Sequence, residues 1–279
     1  MNSLPANNPE WLTKKIIKMG GTISFYDYMN FVLNDSEYGY YGSGKAKLGS
    51  DGDFVTSPTL SYDFSFLLGK QIEEWLIQFK SEFTSDKKFS VMEFGAGDGR
   101  LLSGVIQYFL NNNKKLLNNV FFVIIEPNKG MIEKQKEYLN KFLNLGIDIF
   151  WKSLEELEVN SVNGILLANE LLDALPVERI INLKNKLYRQ AVSLDKASGK
   201  LFFDEISITK ELEESITHAK EELGIDIPPK DAPDGWTTEW HIDNSAWLKV
   251  VYEKINNGIL LIIDYAKEAK SYYSIRNFN

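Results

Sequence analysis

The sequence predicts an α/β fold, a parallel sheet with helices on both faces. Three observations carry the prediction. Short, near-continuous apolar runs (Phe89 to Phe94, Asn119 to Glu126, Gly164 to Ala168, Gly258 to Tyr265) alternate with stretches of helical periodicity. Strands that are apolar on both sides belong to a sheet covered twice. The first of these runs opens into a glycine-rich turn, Glu93-Phe94-Gly95-Ala96-Gly97-Asp98-Gly99, which leads into a helix. Later runs end on polar groups, at Glu126, Asn169-Glu170 and Asp264, and ligands in such sheets bind at the carboxyl ends of the strands.

The elements follow in order. Glu10 to Lys18 reads as a short helix ended by Gly20-Gly21. Ser24 is placed to cap a second helix from Phe25 to Leu33. A loop rich in Gly, Tyr and Ser runs from Asp35 to Pro58, and Tyr62 to Phe79 is a third helix. Leu101 to Leu110 and Lys129 to Leu145 are helices between the apolar runs; Ile147 to Trp151 is a strand, and Ser153 to Glu156 starts a further short helix. An excursion follows, residues 185–245. In it, Leu187 to Leu194 and Lys200 to Ile208 flank a hairpin turn at Asp195 to Gly199. Lys210 to Leu223 is then helical, a proline-rich loop reaches Trp236 and Trp240, and Asp243 to Lys254 is the last long helix. The expected organisation is an N-terminal helical cap, 1–85, and a ligand-binding core, 86–279, that carries the excursion.

Composition excludes several classes. There is no cysteine, which removes disulfides, thiol nucleophiles and cysteine zinc sites, and with only two histidines, His218 and His241, a multi-histidine metal site is not expected. The net charge of −8 argues against a nucleic-acid partner and suits a cationic one. The apolar runs are strand-sized, so membrane insertion is not expected. The start of the chain has neither an apolar leader nor an Arg-rich segment, so a cytoplasmic location is expected.

The glycine turn narrows the ligand. A dinucleotide fingerprint is G-x-G-x-x-G; here Gly95 and Gly97 fit, but the last position is Arg100. The glycines recur at alternate residues instead, with Glu93 two residues ahead. That E-x-G-x-G-x-G form resembles the class I methyltransferases, which implies S-adenosyl-L-methionine as cofactor. Glu126 is placed to accept both ribose hydroxyls, a use shared with nicotinamide enzymes, or it is a solvated strand-end acid. The segment Asn169-Glu170-Leu171-Leu172-Asp173 lacks the Asn/Asp-Pro-Pro-Tyr of nucleobase amine methylases and offers two carboxylates. Carboxylates suit a guanidinium acceptor, which they can hold in bidentate geometry. Alternatively, Glu170 or Asp173 caps the next helix or pairs with Arg179.

Together these stretches resemble the MidA family. The resemblance rests on Gly20-Gly21-Thr22-Ile23-Ser24-Phe25, Tyr38-Gly39-Tyr40-Tyr41, Gly52-Asp53-Phe54 with Thr56-Ser57-Pro58, the glycine turn, Asn169 through Val177, and Asp264-Tyr265. It implies a class I fold whose mitochondrial members are protein arginine methyltransferases acting on a core subunit of respiratory complex I (NADH dehydrogenase). Glu93, Gly95, Gly97, Gly99, Glu126 and Asn169 would then hold the cofactor, with Thr56, Ser57 and Pro58 lining its pocket. Glu170 and Asp173 would be catalytic, beside the acceptor. A small-molecule methyltransferase and a non-catalytic assembly factor remain as alternatives. Class I sheets carry seven strands and only five core strands are legible, so the C-terminal strands are expected to be missing.

Overall fold

The computed structural model describes residues 8–47, 52–53, 61–82 and 88–277. The chain divides into two compact units.

The larger unit, Asn34–Ala174 with Trp247–Asp264, is built on five parallel strands: β2 (Phe89–Phe94), β3 (Val120–Ile125), β4 (Ile149–Lys152), β5 (Val162–Asn169) and β10 (Ile255–Ile263). Their spatial order is β10-β5-β2-β3-β4. All six residues of β2 are buried, as a central doubly covered strand requires. Alternation splits them between two cores. Val91 joins Phe122, Ile124, Ile165 and Leu167 against the helices α3 (Tyr62–Glu82) and α4 (Arg100–Asn112). Met92 and Phe94 join Val123, Ile125 and Leu166 against Trp247 and Val251 of α7 (Ile242–Lys254). The helix α5 (Lys129–Leu143) closes the β3–β4 crossover, contributing Leu139 and Phe142 to the first core.

The smaller unit, Met1–Leu33, Leu175–Ala246 and Tyr265–Asn279, carries an antiparallel sheet of β1 (Thr22–Ser24), β6 (Glu178–Leu183), β7 (Lys186–Leu194), β8 (Leu201–Ser207) and β9 (Thr237–Trp240). The expected hairpin is β7–β8, closed by Gly199 N donating to Asp195 O at 2.8 Å. The helix α6 (Lys210–Leu223) spans the expected residues, capped by Thr209 Oγ1 accepting from Leu212 N and ended by left-handed Gly224. It packs Leu212, Ile216 and Ala219 on Ile180, Trp236 and Trp240. At the other end of the unit, Leu12 and Ile16 of α1 (Glu10–Lys18) bury against Val192 and Leu201. Ser24 caps α2 (Phe25–Asn34) as expected, its Oγ accepting from Asp27 N at 3.0 Å and donating to Asp27 Oδ2 at 2.8 Å.

Two expectations need correction. Strands β1, β6 and β9 were not anticipated. β1 and β9 are only three and four residues long, and β6 begins with the charged pair Glu178-Arg179. β6 and β7 meet in a two-residue turn whose Lys184 and Asn185 both have positive φ, 52° and 61°. This is a primed hairpin without its usual glycine. Ser153 to Glu156 forms a single turn rather than a helix: Ser153 N donates to Glu156 Oε2 at 2.6 Å, but the chain does not continue helically. No helix among the described residues is long and apolar enough to cross a membrane, and no cluster there could hold a metal ion.

Candidate functional site

Strand order in the larger unit reverses between β2 and β5. A ligand crevice forms at such a switch point, outside the carboxyl ends of the strands. The sequence-predicted residues converge there. Glu93 lies in β2 and the glycine turn follows it; Glu126 follows β3; Asn169 ends β5, with Glu170 and Asp173 just beyond. Thr56, Ser57 and Pro58 lie outside the described residues.

The turn is held by its backbone. Gly95 N donates to Ile125 O at 3.0 Å and Gly99 N to Ala96 O at 2.8 Å. Gly95 has φ +60°, and a Cβ there would stand 2.7 Å from Leu171 Cδ1. Glycine is therefore favoured by conformation, while a Cβ would press on the flexible methyl end of Leu171, through which the acid segment meets the turn. Asp98 Oδ2 accepts from Arg100 Nε at 2.7 Å, which pairs charges at the first residue of α4.

Glu93 is 3% exposed, and its Oε2 has no hydrogen-bond partner among the described residues. Burial pushes its pKa up to about 8; a backbone hydrogen bond from Leu102 opposes the shift, and the charges of Asp98 and Glu126 add to it. The folded, ligand-free chain therefore holds a proton that the unfolded chain releases. The resulting stability is present below the ordinary value of 4.5 and is lost as pH rises through about 8. Glu93→Gln is expected to flatten this fall by a few kcal/mol, about 1.4 kcal/mol per pH unit traversed at most. Urea unfolding at the two ends of the window checks it; a parallel fall in the variant would refute the assignment to Glu93.

Glu126 is 6% exposed. Its Oε1 accepts from Asn128 N at 3.0 Å and its Oε2 from Gln135 Nε2 at 3.1 Å. Burial raises its pKa against those two bonds. Each oxygen keeps a second lone pair for a ligand hydroxyl.

The acid segment is held from β10. Glu170 has φ +49°, unusual for a residue with a side chain, and its N donates to Ile263 O at 2.8 Å. A 3₁₀ turn, Leu172–Ala174, follows. Asp264 Oδ2 accepts from Leu172 N at 2.9 Å and from Asp173 N at 3.3 Å. Asp264, a strand-end acid in the sequence, ties down the turn that carries Asp173. Tyr41 is half-buried, and burial first, then the charges of Asp173 and Glu170, raise its hydroxyl pKa. Its segment is pinned to α5 by backbone contact between Gly44 and Gly130 and by Lys134 Nζ donating to Ala46 O at 2.7 Å. Arg179, the expected alternative partner of these acids, has its Nε 3.7 Å from Glu239 and its guanidinium over the rings of Phe25 and Phe203. Trp236 and Trp240 are buried packing residues.

A buried acid at Glu126 has oxygens suited to ribose hydroxyls, and the glycine turn follows β2 at the same edge of the sheet. A doubly wound parallel sheet with this constellation at its switch point defines a class I S-adenosyl-L-methionine-dependent methyltransferase. A family model described as "Putative S-adenosyl-L-methionine-dependent methyltransferase" matches residues 67–279. The chain belongs to that family.

Among curated relatives, it is 27% identical over 294 residues to Protein arginine methyltransferase NDUFAF7, mitochondrial, of Danio rerio, covering 96% of this chain and 64% of the relative. The Homo sapiens protein of the same name is 26% identical over 300 residues, covering 98% and 64%. The chain thus spans about 64% of the length of these relatives. Among solved structures, a COG1565 superfamily member from Burkholderia thailandensis bound to S-adenosyl-homocysteine is similar at TM-score 0.79 and 27% identity, with 99% of this chain and 69% of that chain covered. The MidA-family resemblance and the cofactor it implied therefore hold. The expected cytoplasmic location does not: the curated relatives are mitochondrial by name. Composition and net charge report on surface and solubility rather than on compartment.

Proposed function

We propose that this chain transfers a methyl group to arginine of a protein substrate, with Glu170 and Asp173 as catalytic residues. The observation that carries the reading is the seating of the acid segment on the glycine turn, where Leu171 packs against Gly95. The names of the curated relatives support an arginine acceptor.

S-adenosyl-L-methionine, when bound, supplies a methyl group on a sulfonium, open to attack by nitrogen. Glu93, Gly95, Gly97, Gly99, Glu126 and Asn169 would hold it. Glu170 and Asp173 would grip a guanidinium through charge-assisted hydrogen bonds. That grip orients the attacking nitrogen and draws positive charge toward the other two. The same carboxylates can take the proton this nitrogen gives up. Such catalysis is positioning and electrostatics on a pre-set frame, and the bond from Ile263 and the Asp264 cap supply that frame. By family resemblance, the substrate proposed is a subunit of respiratory complex I.

Incubating the protein with methyl-labelled S-adenosyl-L-methionine and respiratory-complex subunits should place label on arginine of an intact subunit. Label found only on a small metabolite would sink the proposal.

A further inference from the structure

Gln135 of α5 is wholly buried, at 0% exposure, and has no place in the sequence-level site. Its side chain joins three elements. Nε2 donates to Gly97 O at 2.9 Å and to Glu126 Oε2 at 3.1 Å, and Oε1 accepts from Trp151 Nε1 of β4 at 3.1 Å. The orientation of the amide has one solution. An indole N–H only donates, while the Gly97 carbonyl and an ionised Glu126 only accept. Turning the amide over would set its oxygen against two acceptors and its NH2 against a donor. Trp151 therefore keys the amide, and both amide protons are spent on groups of the cofactor site.

We propose that Gln135 is a positioning residue for the cofactor: keyed by Trp151, it holds the Glu126 carboxylate and the Gly97 peptide in the arrangement the cofactor meets. The inference rests on the reading of Glu126 and the glycine turn as cofactor-binding. Gln135 also helps keep Glu126 ionised, since its hydrogen bond opposes the effect of burial. The other groups acting on or beside Glu126 are Asn128 from the following turn and Glu93 from β2. From β4, the Lys152 carbonyl accepts from Glu126 N at 3.3 Å.

The test is calorimetric binding of S-adenosyl-homocysteine to the full chain at pH 6 and pH 8. Gln135→Met keeps the length of the side chain and removes both donors. It should weaken binding about tenfold or more at pH 8, the scale of a lost hydrogen bond to a charged group. Without that donor Glu126 takes up a proton more readily, so the ratio of variant to unsubstituted dissociation constants should widen toward pH 6. Trp151→Phe, at a less buried position, should act in the same direction with smaller size. Binding by Q135M within twofold of the unsubstituted chain at both pH values overturns the inference. So does a deficit identical at both pH values and matched by a lower Tm, which is a packing effect alone. Glu126→Gln separates the two levels. Unimpaired binding by E126Q overturns the reading of Glu126 itself, whereas weak binding by E126Q with normal binding by Q135M overturns the role of Gln135 alone.

Discussion

Glu170→Gln is expected to lower methyl transfer to an arginine acceptor by about two to three orders of magnitude, the scale seen when one pre-organised electrostatic partner is removed. Binding of S-adenosyl-homocysteine should stay within about twofold, because Glu93, the glycine turn and Glu126 are untouched. Glutamine keeps the volume and, like glutamate, can occupy the left-handed backbone of this position, which the Ile263 hydrogen bond maintains. Only the negative charge is lost. Asp173→Asn should act in the same direction with smaller size, since its turn remains capped by Asp264. Initial rates with labelled cofactor at saturation, beside calorimetry, decide the matter. Rates within fivefold of the unsubstituted protein would remove Glu170 from the chemistry. A parallel collapse of cofactor binding would make it a cofactor or folding residue instead.

Gly164→Ala is expected to destabilise the fold by about 4 kcal/mol or to prevent folding, from backbone strain and overpacking combined. Gly164 sits within β5, paired with Ser90 of β2, at φ +144°. A Cβ there would stand 1.9 Å from the Ser90 carbonyl oxygen, a backbone atom of the neighbouring strand that cannot swing aside. Either the β2–β5 pairing opens or the residue leaves its conformation. β2 and β5 flank the switch point, so cofactor binding should fall with stability. Gly199→Ala is the control: it also has positive φ, at +70°, but meets nothing within 4 Å in its hairpin turn. It should lose only about 1 kcal/mol. Chemical denaturation of both variants checks the pair; equal losses would show that steric conflict in β5 is not the cause.

The parallel sheet was legible because its strands are buried on both faces. Burial on both sides forces unbroken apolar runs such as Val120 to Ile125, and those runs need no partner to be recognised. The glycine turn was legible for a related reason: backbone at positive φ leaves a mark in residue type. The same held for Ser24, whose capping is local chemistry. The acids at Glu170 and Asp173 could be found by their place after an apolar run, but not their geometry.

Beyond the β7–β8 hairpin, the second sheet was not legible. Its pairing of Thr22 with Ser193 spans the chain, and a three-residue strand has no periodicity of its own to declare. β6 opens on Glu178 and Arg179, whose burial depends on partners drawn from distant segments: Arg189 bonds Glu178, and Phe25 and Phe203 cover Arg179. Gln135 and Asp264 show the same limit within the site. A glutamine on a helix reads as solvated until folding sets Trp151, Glu126 and Gly97 around it. An aspartate after a strand shows its role only when the turn at Leu172 lies under its carboxylate. Residue type and spacing record how each segment meets solvent and its near neighbours; the partners that satisfy a buried polar group arrive from elsewhere in the chain, and only folding brings them into hydrogen-bond range.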